Sequence, residues 1–269
     1  MRASPCKRFA SFLILSSIAI LMTACGSKGS TTAPVNPPPP PSTYPTLTGN
    51  WSLSATSQVS SANYILGGYI TNTNGTVTGT LHIINATTCF NIAQDLQITG
   101  TVSTSGAFTA TSAAINSQVI TISGTITSTA LTGGAYSIAG GCDTGDRGTV
   151  TGYAAPSYSH TYAGNFISTP SHITIATTIV ATQSGPDTDG FYHISGTATF
   201  SGSPCFSSGT ITTSEIAGSY MAIVITTASG NIEFIGYDTD STGKTVSGTY
   251  EVEGGLCSGD YGTGSVSHS

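Results

Sequence analysis

Beyond residue 45, apolar and polar positions alternate with period two along short runs, each bounded by Gly, Asn, Asp or Ser. One pattern recurs: an apolar residue, Ser or Thr, Gly, Thr, and an apolar residue again. It reads Val77-Thr78-Gly79-Thr80-Leu81, Ile98-Thr99-Gly100-Thr101-Val102 and Ile122-Ser123-Gly124-Thr125-Ile126. It returns as Ile194-Ser195-Gly196-Thr197-Ala198 and Val246-Ser247-Gly248-Thr249-Tyr250. Side chains on a strand alternate between two faces, so the apolar residues and the Gly share one face and the hydroxyls the other. One buried face and one wet face is the mark of antiparallel sheets. Gly weakens a strand interior unless the sheet bends there. Five copies in one phase therefore predict a curled antiparallel sheet. Turn signals such as Thr73-Asn74-Gly75, Asp187-Thr188-Asp189-Gly190 and Ser241-Thr242-Gly243 separate the runs. No helical period exceeds one turn. The expectation is an all-β chain of up-and-down β-barrels, with β-sandwiches as the alternative.

The runs fall into two copies. Thr48-Gly49-Asn50-Trp51 is matched by Ala163-Gly164-Asn165-Phe166, and Cys89-Phe90 by Cys205-Phe206. Gly140-Gly141-Cys142 followed by Gly145-Asp146-Arg147-Gly148-Thr149 is matched by Gly254-Gly255-Leu256-Cys257 followed by Gly259-Asp260-Tyr261-Gly262-Thr263. The near-constant offset predicts two tandem homologous domains of about eight strands each, over 46–156 and 157–269. A solenoid would repeat at a shorter period.

Ahead of them, Arg2, Lys7 and Arg8 precede an apolar run from Phe9 to Met22, too short for a comfortable membrane span. The run ends Leu21-Met22-Thr23-Ala24-Cys25-Gly26. This resembles the lipobox of bacterial lipoproteins, although Met22 replaces the usual Leu. The resemblance implies a signal peptide over 1–24, cleavage before Cys25 and lipidation of Cys25 with fatty acyl chains such as palmitate. Gly26 is not the Asp that signals inner-membrane retention in such lipoproteins, which implies the outer membrane. The alternative is an ordinary secretory signal with a chance Cys. Residues 25–45, with Pro37 to Pro41, read as a stalk; at ~3.1 Å per residue in polyproline II it reaches roughly 60 Å.

Composition narrows the function. Charged residues are 7% of the chain, against ~25% in ordinary soluble domains. Beyond Pro45 only Arg147 and Lys244 face twelve carboxylates, a net charge of −10. Nucleic acid, which needs clustered cations, is excluded as a partner.

With Cys6 in the leader and Cys25 lipidated, four cysteines remain, which allow three pairings. The duplication selects Cys89–Cys142 and Cys205–Cys257, one within each copy, in an oxidising envelope compartment. Four free buried thiols are the alternative. No close Cys/His pair offers a zinc site, so no metal and no cofactor is expected.

Other motifs reduce to turns. Ser241-Thr242-Gly243-Lys244 matches a Ser-x-x-Lys nucleophile motif but sits in a turn, not at a helix start. Gly243-Lys244-Thr245 lacks the earlier Gly of a phosphate loop, where Asp238 stands. Asp187/Asp189 and Asp238/Asp240 have calcium-like spacing without further ligands, and read as turn formers. Asp146 and Asp260 hold matched positions, either fixing a turn or lining a shared site. His82, His160, His172, His193 and His268 occupy no matched positions and read as surface residues, with His82 and His193 on wet strand positions. No Ser-His-Asp or Cys-His set assembles, so no catalytic residue is named.

Trp51 and Phe166 follow matched Gly-Asn pairs. Their Gly-x-aromatic start is similar to the first strand of lipocalins and avidins, which are ligand-binding barrels. Each of the two is a candidate core plug or ligand contact. Three functions follow as expectations. The first is a non-enzymatic, lipid-anchored envelope protein acting structurally or on another envelope protein. The second is a binder of a small apolar ligand in barrels hollowed by inward glycines. The third is a hydrolase using Glu215, Glu233, Glu251 or Glu253.

Overall fold

The computed structural model describes residues 43–92 and 94–269. The expected signal peptide, Cys25 and most of the expected stalk lie outside them. Two closed antiparallel barrels of eight strands follow one another along the chain. Barrel 1 comprises β1 (Gly49–Ser57), β2 (Asn63–Thr73), β3 (Thr76–Ile83), β4 (Asp95–Val102), β5 (Ala107–Ser112), β6 (Val119–Ile126), β7 (Ala130–Ala139) and β8 (Arg147–Ala154). Barrel 2 comprises β9 (Thr161–Ser168), β10 (Thr174–Gln183), β11 (Ile194–Ser201), β12 (Ser208–Ala217), β13 (Tyr220–Thr227), β14 (Gly230–Asp238), β15 (Thr245–Glu253) and β16 (Tyr261–Ser267). Each strand pairs with its sequence neighbours, and β1–β8 and β16–β9 close the rings. The chain is all-β with up-and-down barrels, not sandwiches. Among the described residues there is no helix. Turn chemistry sets the register: Asn74 and Gly75 both have positive φ, 51° and 84°, as a two-residue hairpin between β2 and β3 requires.

Four of the five repeated glycines do what their phase implies. A Cβ on Gly79, Gly100, Gly196 or Gly248 would run into a backbone oxygen of a neighbouring strand: Tyr69, Thr109, Val180 and Ile235 respectively. Adjacent strands coil over each other at these points closely enough to exclude any side chain. In barrel 2 three glycines, Gly236, Gly248 and Gly264, pair in a row across β14, β15 and β16. The room they leave is filled by rings. Phe166 stacks on Phe234 at 5.3 Å and on Tyr250 at 5.0 Å between centroids. An eight-stranded barrel is just wide enough for side chains to fill. Residual cavities inside the two barrels are about 10 Å³ each, the space of a single water.

The sheet register corrects the match between Trp51 and Phe166. Ala55 lies opposite Val150 and Phe166 opposite Gly264. Val150 and Gly264 are equivalent, since each follows a Gly-Asp-x-Gly-Thr segment. Phe166 therefore takes the rung of Ala55, in mid-barrel. Trp51 stands four residues earlier, opposite Ala154 at the barrel end. The Gly-Asn-aromatic likeness is local and does not mark equivalent rungs. Trp51 is a plug: it is 1% exposed, and its Nε1–H donates to Leu47 O at 2.7 Å.

Candidate functional site

Two places bring polar chemistry together: the cystine-bearing mouth of each barrel, and the junction between the barrels.

At the mouths, the cystines Cys89–Cys142 and Cys205–Cys257 both form, with Cα separations of 5.7 and 6.0 Å. Each joins the loop after the third strand to the turn after the seventh, from opposite sides of the ring. The cystine is thus a strap across the opening. The next residue, Phe90 or Phe206, is buried beneath it. Phe90 meets Tyr64 edge-on at 5.9 Å, and Phe206 meets Phe200 at 4.9 Å. Buried Gln118 ties the strap of barrel 1 down. Its amide donates to Cys89 O at 3.3 Å, and its Oε1 accepts from the Asp143 N–H at 2.8 Å.

Asp146 and Asp260 anchor the same ends. Asp146 accepts from Ser57 Oγ at 2.5 Å, Tyr64 OH at 2.7 Å, Tyr136 OH at 3.2 Å and the Arg147 N–H at 2.8 Å. Asp260 accepts from Ser168 Oγ at 2.6 Å and Tyr250 OH at 3.2 Å. Ser57 and Ser168 in turn accept from backbone N–H groups of the following turn, Ser60 at 2.8 Å and Ser171 at 3.2 Å. The aspartates are latches holding the first hairpin to the last strand. Burial alone would raise the Asp146 carboxyl, but the bonds from Ser57, Tyr64, Arg147 and Tyr136 outweigh it and hold it below the ordinary carboxylate range. Burial pushes the Tyr136 hydroxyl up to about 12 and the Tyr64 hydroxyl higher still, so both remain donors at any ordinary pH. A group whose folded pKa is depressed stabilises above its unfolded pKa, and that stability is lost as pH falls through the folded value. Asp146→Ala is expected to cost roughly 2–3 kcal/mol, the scale of hydrogen bonds to a charged acceptor. In acid titrations read by circular dichroism, the variant should lack, near neutrality, a stability increment that the parent holds above the ordinary carboxylate range and loses as pH falls from there through the depressed Asp146 value.

The junction was not legible as a site. Asn50 faces the β12–β13 turn, where Gly218 has φ +63°. The Gly218 N–H donates to Asn50 Oδ1 at 2.6 Å, and Asn50 Nδ2 donates to Gly218 O at 3.0 Å. Tyr158, in the 155–160 connection, donates to the same carbonyl at 3.4 Å. A Cβ on Gly67 would strike the Ala217 carbonyl. His82 corrects the surface reading. It does lie on the outer face of β3, but barrel 2 covers that face and His82 is fully buried. Its Nδ1 is 2.9 Å from Asp95 Oδ1, and its ring stacks on Phe191 of barrel 2 at 3.6 Å. His193 lies just before β11 rather than on a strand; its Nε2 is 2.8 Å from Asp187 Oδ2 and its Nδ1 bonds Ser214 O. Asp187 Oδ1 accepts from the N–H groups of Asp189 and Phe191 at 2.9 and 3.0 Å, as a turn former does. The missed signals were the Gly67-Gly68 pair inside β2 and a His on an otherwise small, hydroxylated strand face.

The glutamates lie apart from both places. Glu233 and Glu251 are exposed and directly opposed on β14 and β15, with Tyr261 next in the row. They line an open depression of about 410 Å³ on the convex outer wall. Glu253 is one rung further, and Glu215 is on β12 beside the junction. The matching row in barrel 1 is Thr121, Ser137 and Arg147. Both carboxylates face water on the outer wall, away from the cystine mouths and the junction. The cluster of Cys89, Cys142 and Asp143 offers no metal site, because its sulfurs are bonded to each other.

No family model matches the chain, and no curated protein matches it. Among solved structures, a protein of unknown function from the DUF3598 family of Nostoc punctiforme aligns over 81% of this chain and 94% of its own, at 10% identity and a TM-score of 0.23. A likeness at that score carries no argument about fold or function.

Proposed function

We propose that the protein is a lipid-anchored component of the cell envelope, destined for the outer membrane, that acts structurally or on another envelope protein through its outer surface and without catalysis. The observation that carries this reading is the solidity of both barrels: each cavity is about 10 Å³, where a ligand pocket needs about 300 Å³ or more. The rings over the inward glycines take the space reserved for an apolar ligand, so that alternative loses its support. The mouths are strapped by cystines over Phe90 and Phe206, which suits an oxidising compartment. The lipobox-like segment ending at Cys25 supplies the anchor.

The test is metabolic labelling with an alkyne palmitate analogue in a diderm bacterial host, with the native chain and Cys25→Ala. Label on the native chain and its loss in the variant, together with release from the membrane fraction, is the expected result. Equal label on both, or membrane retention of the variant, sinks the anchor. Native mass spectrometry of the same preparation should show no co-purified small molecule.

A further inference from the structure

Among the described residues, one buried side-chain polar atom lacks a hydrogen-bond partner, and it is His82 Nε2 at the junction. We propose that His82 makes the contact between the two barrels a proton-operated latch: a second proton on its ring loosens the docking of the 184–193 loop of barrel 2 on β3 of barrel 1. The inference does not depend on the lipid anchor.

The geometry carries it. The neutral ring donates from Nδ1 to Asp95 and leaves only a lone pair unmet at Nε2. The doubly protonated ring has an N–H at Nε2, aimed where no acceptor stands. An unmet buried charged donor costs more than an unmet lone pair. What buries the ring is barrel 2 itself, through the face of Phe191, so separating the barrels gives that N–H to water. The charged groups facing the ring are Asp95 on β4, Asp187 in the loop and Glu215 on β12; all three favour the cation. Burial outweighs them and holds the ring below its ordinary value of 6.5.

His193 moves the other way. Its burial is outweighed by the bonds to Asp187 and Ser214 O, which raise it. Those bonds lie within barrel 2, so acid firms the loop that carries Phe191 while it weakens the contact across the junction. For docking the sign is therefore that of His82. A depressed pKa in the docked state means full docking above 6.5 and progressive loss below it, by up to about tenfold per pH unit until the docked pKa is passed.

The reporter is the Gly218 amide, whose N–H bonds Asn50 across the junction. In the full chain in detergent, its hydrogen-exchange protection factor, corrected for intrinsic pH dependence, should fall below 6.5 by up to about tenfold per pH unit. Amides of β6 and β14, inside each barrel, should hold theirs. In His82→Phe, which keeps a stacking ring that cannot ionise, the Gly218 factor should be flat with pH. Flat protection in the parent between pH 7.5 and 5, or an undiminished slope in His82→Phe, overturns the latch. Parallel loss at β6 and β14 also overturns it, because that is unfolding. Should His82→Phe fail to fold, the ring titration decides: a His82 Cε1–H midpoint below 6.5 by NMR supports the latch, and one at or above 6.5 overturns it.

Discussion

Replacing Cys89 and Cys142 together with Ala should lower the stability of barrel 1 by about 4 kcal/mol and leave barrel 2 nearly unchanged. Each cystine closes a loop of 53 or 52 residues, and the chain-entropy model credits such a loop with about 4 kcal/mol. The strap also holds Phe90 down. Freed of it, the loop after β3 can lift, and the ring loses the edge contact with Tyr64. Unfolding in guanidinium, followed by Trp51 fluorescence, reports barrel 1 selectively, since the chain has one Trp and it lies in that barrel. The expected result is an early Trp51 transition and a later one by circular dichroism from barrel 2. A single coincident shift would mean that the barrels unfold as one unit through the junction. An unchanged Trp51 midpoint would mean that the strap carries no stability.

How far the sequence foretold this molecule can be read from particular residues. The barrels were legible because Gly79, Gly100, Gly196 and Gly248 sit on the apolar side of their strands, where only a coiled, closed sheet has use for a missing side chain. The cystines were legible because the second copy acts as a control on the first. The same comparison failed at the first strand. Trp51 and Phe166 share a local Gly-Asn-aromatic spelling, but the rungs are fixed by pairing with the last strand, and a four-residue slip keeps the face while changing the depth. The junction was illegible for a different reason. His82, Asn50 and Ser52 sit where the strand pattern says water, and in one barrel alone that pattern would be right. Their burial comes from the other barrel, and no period within a strand encodes a neighbour from the other half of the chain. Ser52 makes the point plainly: its hydroxyl donates to that of Ser219 at 3.2 Å, across the junction.

Gly248→Ala should cost about 3–5 kcal/mol and unfold barrel 2 at temperatures where barrel 1 persists. Exchanging Gly for Ala in an open strand normally stabilises by a few tenths to 1 kcal/mol, through the unfolded chain. Here the added methyl would press on the Ile235 carbonyl, with Gly236 Cα at 2.5 Å and Ile235 C at 2.7 Å. These are backbone atoms in a closed ring, so they cannot swing aside as a side chain would. β14 must move outward, and with it Phe234, which stacks on Phe166. Overpacking of a tight core costs ~1–3 kcal/mol; losing part of the ring stack adds to that. Gly133→Ala separates this effect from glycine content. Its Cβ meets nothing within 4 Å, and only its φ of +56° opposes the change, at roughly 1–2 kcal/mol. Calorimetry of the two variants should show the larger loss for Gly248→Ala, confined to the barrel 2 transition. Equal losses would mean that backbone conformation, not the close approach of strands, keeps glycine in the motif.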